Sequence, residues 1–440
     1  MVDIRPFRAL RHAGIPPEKM GDVTSPPYDV FTPGMQRAFY DRHPHNIVRL
    51  IQGEIHDGEV GDAGRIGRAA SHIHDWLKEG VLAIDEKPAI YPYRQRFTLP
   101  DGAALERRSF FAAVRLEKYG EGNIFPHEQT FPKPKGFLFG LYGGCGAHFG
   151  PIFSFYDDPN EEASKALAPS MEGDALADFE EDGVRHTLWR CEDPAALEAA
   201  QAALAGREVF IADGHHRYET SLNLQEAARK AGAPEGGESD YTLMCLANAS
   251  DPGMAVLPTH RLLKKIGTPA EEALAALADS YEISEEPAPV DGDGNDVARR
   301  LRELAEGGRT AFCFCAGQGP LRYLVKKETG PAAEDSVEGD SAEEAVATLD
   351  VSRLHADIVD GALAASHDEA DIGLTPDPGA ALAAARSGEC AVALLLNPTP
   401  VQAVVRIAKA GGKMPHKSTY FFPKVRTGLV SHPFAPPAMD

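Results

Sequence analysis

The chain lacks most of the signatures that assign a protein to a class at sight. Its six cysteines, at 145, 191, 245, 313, 315 and 390, are scattered and form no C-x-x-C pair. That spacing argues against a disulfide framework or a zinc site, and it suits a reducing cytoplasm. Basic residues are in deficit: 44 Lys and Arg against 66 Asp and Glu give a formal net charge of -22. Nucleic acid binding needs a basic footprint, so the balance argues against that partner. No apolar run is long enough to span a bilayer, and Met1 to Pro6 contains no apolar signal region. There is no G-x-x-x-x-G-K-[ST] loop and no G-x-S-x-G elbow. Gly140 to Gly146 is glycine-rich but does not match a dinucleotide fingerprint. What remains is a soluble composition, 43% hydrophobic and 25% charged over 440 residues, with enough chain for two or three domains.

Periodicity predicts an α+β chain in three parts: an N-terminal region (1–100), a motif-dense core (101–262) and a C-terminal region (263–440) whose tail returns to the core. Ile66, Ala69, Ile73 and Leu77 form one stripe of a helix between Gly64 and Leu77. Tyr91 to Phe97 alternates like a strand, and Asp101-Gly102 supplies a hairpin turn. Phe110 to Leu116, Pro151 to Tyr156, Tyr241 to Asn248 and Cys390 to Asn397 read as further strands. Two Ala-rich helices are expected near 160–180 and 193–205. Pro132 to Gly150, rich in glycine, proline and aromatics, reads as an ordered loop over a site. Cys313 and Cys315 alternate with Phe312 and Phe314 and read as one packed face of a strand. Glu328 to Glu344 is acidic and reads as a mobile loop. Asp291 to Asp296 resembles a calcium loop, but Asp296 and Arg302 stand where glycine and glutamate are required. Thr399-Pro400-Val401-Gln402 has the form of a helix capping box.

One stretch carries more chemistry than any other. Ile211-Ala212-Asp213-Gly214-His215-His216-Arg217-Tyr218 follows a strand-like run and opens a helix that Gly232 stops. The first N–H groups of a helix have no intrahelical acceptor, so a strand, a tight turn and a helix start make an anion site. Arg217, His215 and His216 would add donors and positive charge, Gly214 the close backbone approach, and Asp213 a metal contact. Adjacent histidines point in different directions, so they are not a two-histidine metal grip.

Three other segments are candidates. Pro126-His127-Glu128-Gln129-Thr130 begins like H-E-x-x-H, but its fifth residue is Phe131, which excludes a zincin. Glu128 could instead serve as a general base. In the tail, Lys417, Ser418, Thr419 and Lys424 could bind phosphate oxygens. Tyr28 and Asp29, in the rigid Pro26-Pro27-Tyr28-Asp29 run, and Arg49, in Asn46-Ile47-Val48-Arg49, are further contacts, as are His127, Thr130, His260 and Arg261.

Taken together and in order, these segments resemble domain-of-unknown-function family 1015. The matching elements are Pro26 to Val30, Asn46 to Leu50, Pro126-His127-Glu128 with Thr130, Pro151-Ile152-Phe153, Asp213 to Tyr218, Pro258-Thr259-His260-Arg261, and Met414 to Lys424. The Asp-Gly-His-His-Arg element is similar to that of the ParB/sulfiredoxin-like superfamily and the free serine kinases. That resemblance implies a ParB-like core with added N- and C-terminal α+β regions. It also implies a cytoplasmic phosphotransferase that moves a phosphoryl group between pyrophosphate or a nucleotide, with Mg2+, and a small hydroxyl compound, serine first. Such an enzyme could run in reverse or as a phosphoserine phosphatase. In this reading Asp213, His215, His216 and Arg217 form the phosphate and metal centre, and Glu128 is the base. The alternative is a ParB-like nucleotide-binding or nucleotide-hydrolysing switch or partition protein without kinase activity. The chain departs from the family where Phe137-Leu138 replaces an Asp-Arg pair and Gly150 replaces a serine.

Overall fold

The computed structural model describes residues 2–100, 102–287, 294–327, 341–366 and 368–435. It is a mixed α+β chain divided into two compact units. Residues 288–293, which hold the start of the calcium-like run, and 328–340, most of the acidic stretch, lie outside the described residues. The end of that stretch is helical: Ala342–Ala347 starts at a capping box in which Ser341 and Glu344 bond each other's backbone N–H.

The first unit contains Met1–Phe97, Ala104–Met254 and Pro423–Asp440. Its boundaries differ from those read from the sequence. The N-terminal hundred residues share this unit because the strands Tyr91–Thr98 and Ala104–Arg115 are neighbours in one nine-stranded sheet. The chain end joins it through isolated bridges from Ser431 to Leu10 and from Thr427 to Ser25. At the centre of the sheet, Tyr241–Asn248 runs parallel to Ile152–Tyr156 and antiparallel to Ala104–Arg115. Tyr241–Asn248 and Ile152–Tyr156 are buried along their whole length, which is why they read as continuous apolar runs rather than alternating ones. Val209–Asp213 lies antiparallel to Ile152–Tyr156 and parallel to the short strand Ile124–Phe125. Its register with Ile152–Tyr156 shifts between Ile211 and Asp213, a bulge at the point where the candidate turn begins.

Two local expectations in this unit fail for identifiable reasons. Pro132 to Gly150 is not a loop but the helix Pro132–Cys145, followed by the strand Ala147–His148. Proline at the helix start suits its missing N–H. Phe137, Leu138, Leu141, Tyr142 and Cys145 make a buried helical stripe. The glycines that suggested a loop are packing devices: a Cβ on Gly140 would come within 2.7 Å of Ile66 Cδ1, and one on Gly143 within 3.6 Å of Leu224 Cδ2. The second failure is the helix expected over 160–180, which shortens to Glu162–Leu167 and a 3-10 turn. Beyond it, Ala177–Glu181 and Val184–Leu188 form a hairpin. Asp182 and Gly183 both have positive φ, as a two-residue type I′ turn requires.

The second unit contains Thr98–Ala103 and Ala255–Phe422. Its core is a six-stranded sheet in the order Tyr281–Glu286, Leu321–Lys326, Ala311–Cys315, Val392–Leu396, His260–Leu263, Ile372–Thr375, with every pairing antiparallel. Helices Asn295–Leu304 and Pro378–Ser387 supply Val297, Leu301, Ala381 and Leu382 to one face, where Cys313 and Cys315 are fully buried. Ala255–Leu257 pairs separately with Tyr420–Phe422. The expected capping box at Thr399 does not form. Pro400 caps Val401–Lys409 without a side-chain bond, and the Thr399 hydroxyl donates to the Ser418 carbonyl at 3.0 Å. Among the described residues, no helix is long and apolar enough to cross a membrane.

Candidate active site

Strand Val209–Asp213 ends at Asp213, and helix His215–Lys230 starts one residue later. Gly214 makes the turn at φ +102°, and a Cβ there would stand 2.9 Å from Arg217 Nε. Only glycine meets both constraints without strain.

The two histidines act as acceptors, not as the donors expected from the sequence. His215 Nε2 accepts the His127 backbone N–H at 3.2 Å, and His216 Nε2 accepts the Phe131 N–H at 2.9 Å. Together they pin the 126–131 loop to the helix start, and the first also gives the buried His127 N–H the acceptor it requires. With Nε2 accepting, the His215 ring proton sits on Nδ1, which faces Glu128 Oε2 at 3.5 Å. His215 is buried and stacks edge-to-face on His127, whereas the Glu128 side chain remains 28% exposed. Burial lowers the His216 pKa, with Glu219 and Asp29 opposing it.

Asp213 is held between two cations. Arg217 Nη2 donates to Oδ1 at 3.3 Å and Lys424 Nζ to Oδ2 at 2.8 Å. Arg217 is 3% exposed and also donates to the Pro151 carbonyl. Burial opposes its charge, but Asp213 and Asp29 outweigh burial and its pKa is raised. A cavity of about 10 Å³, lined by Tyr28, Leu138, Tyr142 and Gly150, meets the guanidinium. That volume is at the lower limit for a single water and is too small for a phosphate. Leu138 makes this wall apolar, and a Cβ on Gly150 would touch Arg217 Cδ at 3.4 Å. The magnesium expected at Asp213 does not fit this arrangement, since both carboxylate oxygens bond to cations. Among the described residues no group of three His, Cys, Asp or Glu side chains could hold a metal.

Sequence reasoning missed Glu219. Glu219 accepts from the Thr130 hydroxyl at 2.6 Å and from Lys135 Nζ at 2.7 Å. It stands three and four residues beyond His216 and His215, the spacing that places helical residues on one face, and that was the available signal. Tyr28 lines the Arg217 cavity and burial raises its pKa, with Asp29 next. Asp29 is exposed. Arg49 is engaged elsewhere: it donates to the Tyr40 carbonyl at 2.8 Å and lies over the Tyr40 ring. Lys417, Ser418, Thr419, His260 and Arg261 belong to the second unit, whereas Lys424 belongs to the first. Arg261 donates to the carbonyls of Thr259 and Lys417 and to His355 Nε2. Ser418 Oγ donates to the Pro415 carbonyl at 2.5 Å.

A mixed α+β unit with a strand–glycine–helix turn, a carboxylate–imidazole pair and a caged aspartate defines the class of site. The chain itself belongs to the family described as protein of unknown function DUF1015, whose model matches residues 4–352. No curated protein matches it. Among solved structures it is similar to a conserved hypothetical protein from Pyrococcus furiosus, at 16% identity and TM-score 0.31, over 70% of this chain and 92% of that one. It is also similar to a mutant free serine kinase in complex with ADP, at 15% identity and TM-score 0.33, over 70% and 89% of the two chains. A third is SbnI with a C-terminal truncation, from Staphylococcus aureus, at 10% identity and TM-score 0.31, over 75% and 90%.

Proposed function

We propose that the first unit is a ParB-like phosphotransferase acting on a small hydroxyl compound, with serine the leading acceptor and pyrophosphate or a nucleotide the donor. The observation that carries the reading is the pairing of Glu128 with His215 at the mouth of the turn. A partly exposed carboxylate beside a buried, oriented imidazole suits proton abstraction from a hydroxyl. His215 Nδ1 faces Glu128 Oε2 at 3.5 Å, and the His127 N–H fixes the tautomer. Phosphoryl transfer needs little covalent help from the protein beyond alignment and charge neutralisation. Lys135 and Lys424, now bonded to Glu219 and Asp213, are the cations that a donor phosphate would recruit. The first N–H groups of helix His215–Lys230 supply the remaining donors. Arg217 serves by holding Asp213 in place. Transfer joins the acceptor oxygen to phosphorus, breaks the bond to the leaving phosphate and passes the hydroxyl proton to Glu128. The same arrangement serves the reverse direction.

The test is phosphorus NMR of serine, homoserine and glycerate, each with ATP, ADP or pyrophosphate as the magnesium salt. The reading expects at least one pair to yield a phosphate monoester. If no donor is consumed and phosphoserine is also left intact, it fails.

A further inference from the structure

The last described residues of the first unit are fastened by two histidines that phosphoryl transfer does not use. His148 and His432 pair across the short antiparallel ladder of Ala147–His148 with His432–Pro433. Both are buried, at 3% and 1% exposure. Their rings lie nearly parallel, and the two Nδ1 atoms stand 3.5 Å apart. The Phe434 and Ala435 N–H groups donate to the Gly146 carbonyl, and the Phe434 ring lies 4.6 Å from the His148 ring.

The outer nitrogens set the tautomers. His432 Nε2 lies 3.0 Å from Glu238 Oε2, and that bond holds the Glu238 carboxyl below its ordinary range. A carboxylate only accepts, so neutral His432 carries its proton on Nε2 and its Nδ1 is bare. His148 then directs an Nδ1 proton at that bare nitrogen, and its Nε2 accepts from the Ser221 hydroxyl at 3.2 Å. Ser221 lies in turn 3.0 Å from the Thr242 hydroxyl. With both rings neutral, all four ring nitrogens have partners, as buried polar atoms require.

Two imidazoliums would not fit. They would point two N–H groups at each other across 3.5 Å and bury like charges side by side. Glu238 faces His432 but also pairs with Arg5 Nη2 at 2.5 Å, and Arg8 shares the wall of the adjoining cavity. Tyr142 meets the His148 ring edge-on and Phe7 the His432 ring edge-on. Burial, and then the neighbouring His432, lower the His148 pKa; burial also lowers that of His432, with Glu238 opposing and Arg5 assisting.

We propose that His148 and His432 form an acid-released latch, which holds residues 431–435 on Ala147–His148 when neutral and lets that end come off in mild acid while the central sheet stays intact. Freed, each ring returns to the ordinary histidine value near 6.5. The closed end binds fewer protons than the open end below that value. The latch is therefore complete above pH 6.5 and weakens as pH falls. Release also opens the cavity of about 310 Å³ that His432, Pro433 and Phe434 line together with Phe7 and Glu238.

The experiment is amide hydrogen exchange of the full chain at pH 7 and pH 5, with rates corrected for the intrinsic effect of pH. Protection of residues 431–435 should fall about tenfold or more relative to Tyr241–Asn248, since one proton is worth up to about tenfold per pH unit. His432→Gln and His148→Phe should each shrink that ratio, whereas a merely structural role would lower protection equally at both pH values. Ring-nitrogen NMR of the unaltered chain at pH 7 keeps the proposal testable if the variants fail to fold: Nδ1 should be protonated on His148 and bare on His432. Equal protection at the two pH values, loss in step with the central strand, a ratio unmoved in both variants, or Nδ1 protonated on both rings would each overturn the proposal. None of these readouts involves Glu128 or His215, so the proposal stands apart from phosphoryl transfer.

Discussion

Two arginines, each almost fully buried, follow opposite rules. Arg217 in the first unit is paired with a carboxylate, and its charge is strengthened despite burial. Arg261 in the second unit has carbonyl and imidazole partners, and burial pulls its pKa down to about 10. A buried cation is costly unless paired or well bonded. Arg217 meets that cost with an opposite charge and becomes a fixed strut under a polar site. Arg261 meets it with dipoles and leaves a net positive field in its surroundings. The first arrangement suits geometry that must not move.

The comparison can be broken by mutation. The largest effect is expected from Asp213→Asn, which leaves Arg217 buried with its main counter-charge gone. Loss of one partner of a buried pair costs about 3–5 kcal/mol, to be read as a shift of the urea unfolding curve. Arg261→Met strands no carboxylate and only orphans acceptors, so the same measurement should give about 1–3 kcal/mol. If the second loss equals the first, the distinction is wrong. Gly214→Ala comes next. Its φ of +102° and the contact with Arg217 predict a loss of about 1–3 kcal/mol. A neutral result would mean that the turn relaxes freely.

The last effect is a pH slope. Burial lowers His260 to about 3 and His12 to about 4, both from 6.5. A depressed folded-state pKa means that the unfolded chain binds the proton more tightly between those values and 6.5. The stability these residues add is therefore complete above pH 6.5 and declines as pH falls toward 3 to 4. Each can contribute at most about 1.4 kcal/mol per pH unit. Urea midpoints at pH 7, 6 and 5 should fall, and His260→Gln should flatten the slope. An unchanged slope would remove His260 as a contributor.

The sequence was readable where one signal acted alone. Asp213-Gly214 between an apolar run and an amphipathic helix became the turn it resembles, and Tyr241 to Asn248 became a central strand. It misled where two signals competed. In Pro132–Cys145 the glycines outweighed the helical stripe, although they are there to let Ile66 and Leu224 approach. The unit boundary was hidden because the segment after Pro423 crosses the whole chain to pair with Leu10 and Ser25, which local pattern cannot reveal. At the site, Asp213, Glu128 and Lys424 stood out by residue type. Glu219 did not, because an acidic residue on a helix usually faces solvent. Its bonds to Thr130 and Lys135 depend on a loop brought over it by His215 and His216.

In the proposed reaction Glu128, beside His215, takes the proton from the acceptor hydroxyl. That step is tested most directly by measuring kcat of Glu128→Gln by phosphorus NMR, with whichever donor and acceptor pair the screen identifies. General-base catalysis predicts a fall of about 10²–10⁴-fold with the KM for the donor little changed. A variant that turns over at the wild-type rate would contradict the account.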